Sequence, residues 1–230
     1  MIHAPLMRLV ARVNETWRDR VLTALTLLFA LNLFVVVPFG AVHAVSIRPI
    51  SMSLVFLLVC GLLIVSQSVV PALGVVLALL LLGTAMFVRG HGGGLTLEVG
   101  FEASGWLLVG LVIIWVVARA VFGPGRVTYH RVVGATLLYL AIGFVFVALY
   151  TLVDVLAPGA FTGAKVHDRV SLPADLVYFS FVTLTTVGYG DVMPVNPVAR
   201  SLSNLEAIIG QLYPATLLAR MVSLELRTGE

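Results

Sequence analysis

Charged side chains are scarce in this chain: 11% of its 230 residues are Asp, Glu, Lys or Arg, against 60% that are hydrophobic. A soluble domain carries roughly a quarter charged residues, so a water-soluble globule is not expected. Cysteine is nearly absent as well. The single Cys60 lies inside an apolar run, so no intramolecular disulfide can form and no cysteine metal spacing exists. Cys60 therefore reads as a small structural hydrophobe. His3, His43, His130 and His167 stand apart at helix ends or loops, without metal-ligand spacing. The formal charge is only +3, and the basic residues lie singly at the ends of apolar runs. No nucleic-acid partner is expected from that pattern.

What the chain has instead is long apolar runs. A helix needs about 20 apolar residues to cross ~30 Å of hydrocarbon. Runs at 21–37, 53–69, 72–88, 105–122, 132–155 and 198–224 meet or approach that length, and 173–185 is too short. The expected fold is an all-α integral membrane protein with six transmembrane helices and one short helix that enters the membrane without crossing it. Residues 1–20 carry Leu6, Leu9, Val10, Val13 and Trp17 at helical spacing among arginines. They read either as an amphipathic helix in the interface or as a disordered tail. The run 21–37 is longer than a usual signal h-region, so a retained helix is expected.

Punctuation along the chain comes from proline and glycine. Pro71 is expected to break the second run from the third, making two antiparallel neighbours. Residues 89–104 read as a Gly-rich loop, and Gly123-Pro124-Gly125 ends the fourth run. Trp106 is expected near an interface, and Tyr150 likewise on the outer side. Asn204, Glu206 and Gln211 interrupt the last run. Basic residues favour the cytoplasmic side. With both ends inside, nine of the 14 Lys and Arg fall there, which sets the orientation.

The string Thr183-Leu184-Thr185-Thr186-Val187-Gly188-Tyr189-Gly190-Asp191 resembles the signature of potassium channels. With six helices and this string between the last two, the chain resembles a bacterial potassium channel of the six-helix, voltage-gated-like superfamily. The resemblance implies a cytoplasmic or interfacial segment at 1–20, a four-helix domain at 21–122 and a linker at 123–131. A pore domain would then fill 132–230, with outer helix 132–155, re-entrant pore helix 173–185, extended selectivity filter 186–190 and inner helix 198–224. It further implies that Thr186, Val187, Gly188 and Tyr189 hold potassium ions, with Gly190 completing the filter and Tyr189 pointing away to brace it.

The chemistry behind such a motif is simple. An ion entering a narrow pore loses most of its water, and backbone carbonyls replace those oxygens without a fixed charge. Carbonyls line up on one side only if alternate residues adopt left-handed backbone, which Gly188 and Gly190 do at no steric cost. One chain supplies one strand, so a tetrameric pore is required. Irregular backbone at membrane depth must be buried in protein or line a cavity. Pro173 and Asp175 suit the start of the short helix that provides this setting.

Thr185, Asp191, Tyr178 and Phe179 are expected to support the filter. Tyr178 and Phe179 stand where related channels carry tryptophans, and Val182 stands where some carry an acidic residue. A hydrogen bond from Tyr178 to Asp191 would restore a polar cuff; plain aromatic packing is the alternative. Gly210 falls where relatives place a hinge glycine, with Pro214 one turn later; tight helix packing is the alternative. Glu206 would line the cavity, pair with Arg200 or pair with pore-helix groups. The fourth run carries only Arg119, so little voltage sensing is expected. The first four helices are expected to pack beside their own pore domain.

The function expected is passive potassium conduction across the plasma (inner) membrane by a homotetramer surrounded by lipid. No cofactor beyond the permeant ion and no soluble ligand is expected. A less selective cation channel and a non-conducting regulatory subunit are the alternatives. His91-Gly92-Gly93-Gly94 resembles the oxyanion loop of lipases, but no Gly-x-Ser-x-Gly turn accompanies it, so a flexible loop and no enzyme are expected.

Overall fold

The structure, a computed structural model, describes residues 21–39, 59, 69–123, 129–163 and 174–228. The expectations for residues 1–20, Cys60, the body of the second run, Pro124, Gly125, Pro173 and His167 lie outside them. Among the described residues four helices are long and apolar enough to cross a membrane. They are α1 (Val21–Phe39), α2 (Val69–Gly90), α3 (Leu95–Phe122) and, within α4 (Tyr129–Leu156), the stretch Val132–Leu156. Then follow β1 (Phe161–Thr162), the short α5 (Ala174–Leu184), β2 (Met193–Pro194) and α6 (Pro197–Thr228). Helix α6 has 32 residues and rises about 48 Å, ample to span. Arg200, Asn204, Glu206 and Gln211 keep it too polar to rank with the other four.

Two expected boundaries move. Val69 and Val70 already belong to α2, so Pro71 lies inside that helix and not ahead of it, while the junction with the second run falls outside the described residues. The Gly-rich segment shrinks to a tight turn, and α3 begins at Leu95, ten residues before the expected start. Gly92 takes φ +70°, and the Gly93 N–H reaches back to the Val88 carbonyl at 2.8 Å. This glycine cap satisfies the carbonyls left open at the end of α2. His91 takes part, with Nδ1 2.9 Å from the Phe87 carbonyl oxygen. Arg89, in the last turn of α2, pairs with Glu98 and, at 3.2 Å, with Glu102 of α3. Glu98 also sits in the first turn of α3, where a negative charge suits the helix dipole.

The core lies where α3 packs on α4 and α1 covers their seam. Gly110 lets the helices close: a Cβ there would meet Val145 Cγ2 at 2.6 Å. Phe144 of α4 receives the edges of Phe29 from α1 and Trp106 from α3, with centroids 5.5 and 5.9 Å away. Trp106 is thus buried inside the bundle rather than anchored at an interface. Its position, twelve residues into a helix that starts early, explains the difference. Helices α1 and α3 therefore rest on α4 of the same chain. At the far end Arg220 of α6 donates to the Phe122 carbonyl at 2.9 Å and lies over the Phe122 ring, closing the last turn of α3. A cation at a helix C-terminus is favoured there.

Candidate functional site

Helix α5 has 11 residues and rises about 16 Å, too short to cross a membrane. It is held between α4 and α6. Gly143 of α4 lets Phe181 and Leu184 approach to within about 3 Å of where a Cβ would stand. Phe179 packs away from the filter, among Tyr150 and Phe161, with centroids 5.1 and 5.4 Å off. The pair expected to face the filter is therefore split, because adjacent helical residues point about 100° apart. Tyr178 alone faces it.

The last turn of α5 orients the backbone that follows. The Thr186 N–H donates to Thr183 O at 2.9 Å, and the Val187 and Gly188 N–H groups donate to Val182 O at 2.9 and 3.3 Å. In a planar trans peptide the preceding carbonyl points opposite its N–H, and no described peptide is cis. The carbonyls of Thr185, Thr186 and Val187 consequently turn away from α5, all to one side. The dihedrals carry the same message: Thr186, Gly188 and Gly190 have φ of 59°, 58° and 79°, alternating with Val187 and Tyr189. Left-handed φ is rare for a β-branched residue. At Thr186 it is the local cost of aiming the carbonyls.

This strand lies open along one side of the single chain. Val187 is 53% and Tyr189 71% exposed. Tyr189 stacks on Tyr178, with centroids 6.3 Å apart and rings 5° from parallel. The Tyr178 hydroxyl stands near the Asp191 side chain, close enough for the two to interact electrostatically. Beyond the filter, β1 and β2 pair antiparallel, Phe161 opposite Pro194 and Thr162 opposite Met193. Gly163, with φ +83°, lies so close that a Cβ would overlap the Asp191 carbonyl oxygen. Asn196 caps α6 by accepting from the Val198 N–H at 2.8 Å, with Pro197 as the first helical residue.

Gly163→Ala should therefore disturb the backbone at Asp191, just after Gly190. It adds a clash with Asp191 to the ~1–2 kcal/mol of a left-handed alanine. Gly159 has the same φ and nothing within 4 Å of its Cβ position, so Gly159→Ala carries the conformational cost alone. Comparing single-channel conductance and thermal stability of the two variants checks this: only Gly163→Ala should alter conductance.

The inner helix contributes three contacts. Gly210 abuts the end of α5, where a Cβ would overlap the Leu184 carbonyl oxygen. That oxygen also accepts from Tyr139 at 3.1 Å. Gln211 donates from Nε2 to Thr186 Oγ1 at 2.8 Å. Glu206 is fully buried behind α5, not facing a cavity. Tyr150 of α4 donates to its Oε2 at 2.6 Å, and Ser180 Oγ lies 2.5 Å from its Oε1 and 2.9 Å from the Gly143 carbonyl oxygen. Of the three settings considered for Glu206, pairing with the pore-helix side is the one present. Arg200 instead donates to the Pro194 carbonyl at 3.0 Å. Tyr150 is buried as well, not an outer-interface residue. Helix α6 continues through Gly210 and Pro214. Packing against Leu184 accounts for the glycine. Ser180, Tyr139 and Gly163 had no sequence signal beyond their residue type, and Gln211 was visible only as a polar interruption.

Residues 134–226 match the family described as ion channel. This region is similar to the ion-channel domains of that family. It is 37% identical over 87 residues to protein LctB of Bacillus caldotenax, covering 36% of this chain and 64% of that protein. It is 39% identical over 87 residues to two pore potassium channel c of Oryza sativa subsp. japonica, covering 38% and 17%. The inward rectifier potassium channel Kirbac3.1 of Paramagnetospirillum magnetotacticum is 32% identical over 117 residues, covering 50% and 33%. The chain thus spans less than two thirds of the length of these relatives. No solved structure matches. The match to an ion-channel family and the apolar helices support a multi-pass membrane protein, with potassium channels among its relatives.

Proposed function

We propose that the chain is one subunit of a homotetrameric, potassium-selective channel of the plasma membrane, with both termini cytoplasmic. The observation that carries this reading is the backbone of Thr186–Gly190. Three successive N–H groups are tied to α5 while their partner carbonyls turn to the open side. A dehydrated monovalent cation needs a cage of oxygens, and one such strand gives only a wall of it. Four copies around an axis would close the cage and cover Val187 and Tyr189. The carbonyls of Thr186, Val187, Gly188 and Tyr189 would bind the ion, and no cofactor is needed.

The rest of the pore domain would serve this filter. Pro214 has no N–H for the Gly210 carbonyl, leaving a soft point where the inner half of α6 can pivot. Helix α3 holds a single arginine, Arg119, stacked 4.6 Å over Trp115. Each charge crossing the field is worth ~2.3 kcal/mol per 100 mV, so one residue gives weak voltage dependence at most. Tyr178 would brace the filter mouth through Asp191. Tyr178→Phe should keep the ring stack, remove the hydroxyl that would donate to Asp191 and speed the decay of current severalfold. Unchanged selectivity and decay would remove that role.

Reconstitution in planar bilayers with potassium on one side and sodium on the other tests the main reading. A reversal potential near the potassium equilibrium value is expected. A value near zero would indicate a less selective cation pore, and no current at all from assembled protein would indicate a non-conducting subunit.

A further inference from the structure

Gln211 stands beside Gly210, where α6 closes on the end of α5. Its amide N–H donates to the Thr186 hydroxyl oxygen at 2.8 Å, and both side chains are exposed on the open side of the chain. A hydroxyl oxygen has two lone pairs and one proton. The Gln211 amide occupies one lone pair and cannot accept the proton, so the other lone pair stays free. The amide oxygen Oε1 has no hydrogen-bond partner among the described residues. Amide geometry holds Oε1 within about 5 Å of Thr186 Oγ1, close enough for one large monovalent cation to touch both.

We infer that Gln211 is a specificity-determining residue of the permeation path: it fixes the Thr186 hydroxyl and presents its own amide oxygen to the ion. The inner entrance of the filter is then a cation site with two neutral side-chain oxygens from each chain. This rests on the potassium-channel reading above. The site is more than a passive continuation of the backbone cage, because its oxygens belong to side chains that can be changed without touching the filter backbone. The ligand is a weakly hydrated cation of potassium's size. A neutral amide oxygen holds it without the deep trap a carboxylate would make.

Barium is the probe, since it has potassium's size and twice the charge. It should bind at the same oxygens and leave slowly, so its block from the α6 side reports on them. Wild type, Gln211→Leu and Gln211→Glu are reconstituted, and barium block and the potassium-to-sodium permeability ratio are measured for each. Leucine removes both polar atoms at similar size and should weaken barium block about tenfold while lowering the permeability ratio severalfold. Glutamate keeps the oxygen, adds charge and should strengthen block at least tenfold. Opposite shifts are not what a merely structural residue would give. Should Gln211→Leu fail to assemble, the direction of the Gln211→Glu shift decides. Conducting wild type with block unchanged in the variants overturns the role of Gln211 and leaves the channel reading standing. A wild type that passes no potassium overturns both.

Discussion

Glutamine at position 206 will cost about 1 kcal/mol, while alanine there will cost the fold about 2–4 kcal/mol. The argument is a proton count. Ser180 Oγ lies within hydrogen-bond distance of two acceptors, the Gly143 carbonyl and Glu206 Oε1, and a hydroxyl has one proton to give. Tyr150 already donates to Oε2. A proton on Oε1 completes the set: Tyr150 donates to Glu206, Glu206 to Ser180, and Ser180 to Gly143. Glu206 is then a neutral carboxylic acid, which is how a carboxyl group in a dry interior avoids an uncompensated charge. Glutamine supplies the same donor and acceptor with one additional N–H, so Glu206→Gln should cost about 1 kcal/mol, clearly less than alanine. Alanine leaves the Tyr150 hydroxyl buried without its acceptor and a cavity beside it. Thermal melting of the detergent-solubilised protein checks the order. If glutamine proves as damaging as alanine, Glu206 is ionised and the count is wrong.

The second large effect should come from Gly210→Ala. A Cβ at this position overlaps the Leu184 carbonyl oxygen and crowds the Leu184 carbonyl carbon and Cα behind it. None of those atoms belongs to a flexible side-chain end, so relief requires moving a helix. Pushing α6 away from α5 withdraws Gln211 from Thr186, and pushing Leu184 instead strains its bond from Tyr139. Overpacking of this kind costs about 1–3 kcal/mol, and here backbone against backbone puts it at the upper end. Potassium selectivity should fall along with stability. Gly83→Ala is the contrast. It lies inside α2 with nothing within 4 Å of its Cβ position, and alanine should gain about 0.5–1 kcal/mol there. Paired reversal-potential and melting measurements would show selectivity lost in one and kept in the other. A Gly210→Ala channel with wild-type selectivity would mean that α6 can retreat without disturbing the filter.

How far the sequence could be read follows from which signals are local. The backbone conformation at 188 and 190 was legible because it demands particular residues: glycine stands at both, where φ is positive. Nothing local announced that Thr186 would adopt the same conformation, since a β-branched residue argues against it. The apolar runs placed α1 and α4 within a few residues, because length and hydrophobicity alone decide a membrane helix. They misjudged α3, whose first two turns carry Glu98 and Glu102 and so look like loop. The partner that makes them helical, Arg89, lies across a turn. Trp106 and Tyr150 were assigned to interfaces by residue type, while their burial depends on Phe144 and Glu206 from other helices. Gln211 and Ser180 are ordinary polar residues until the approach of α5 to α6 gives each a target. Pairings between helices leave no period in the sequence, which is why the contacts around the filter had to come from the fold.

Trp106 has one more consequence. Its indole N–H is buried with no hydrogen-bond partner among the described residues, in the dry seam between α3 and α4. An indole in such surroundings emits at short wavelength, and wetting of its N–H moves the emission to the red. Any movement that parts α3 from the outer helix would admit a polar neighbour to that group. With Trp17 and Trp115 replaced, Trp106 thus becomes an intrinsic optical gauge of whether α3 stays closed on α4, readable without adding a label.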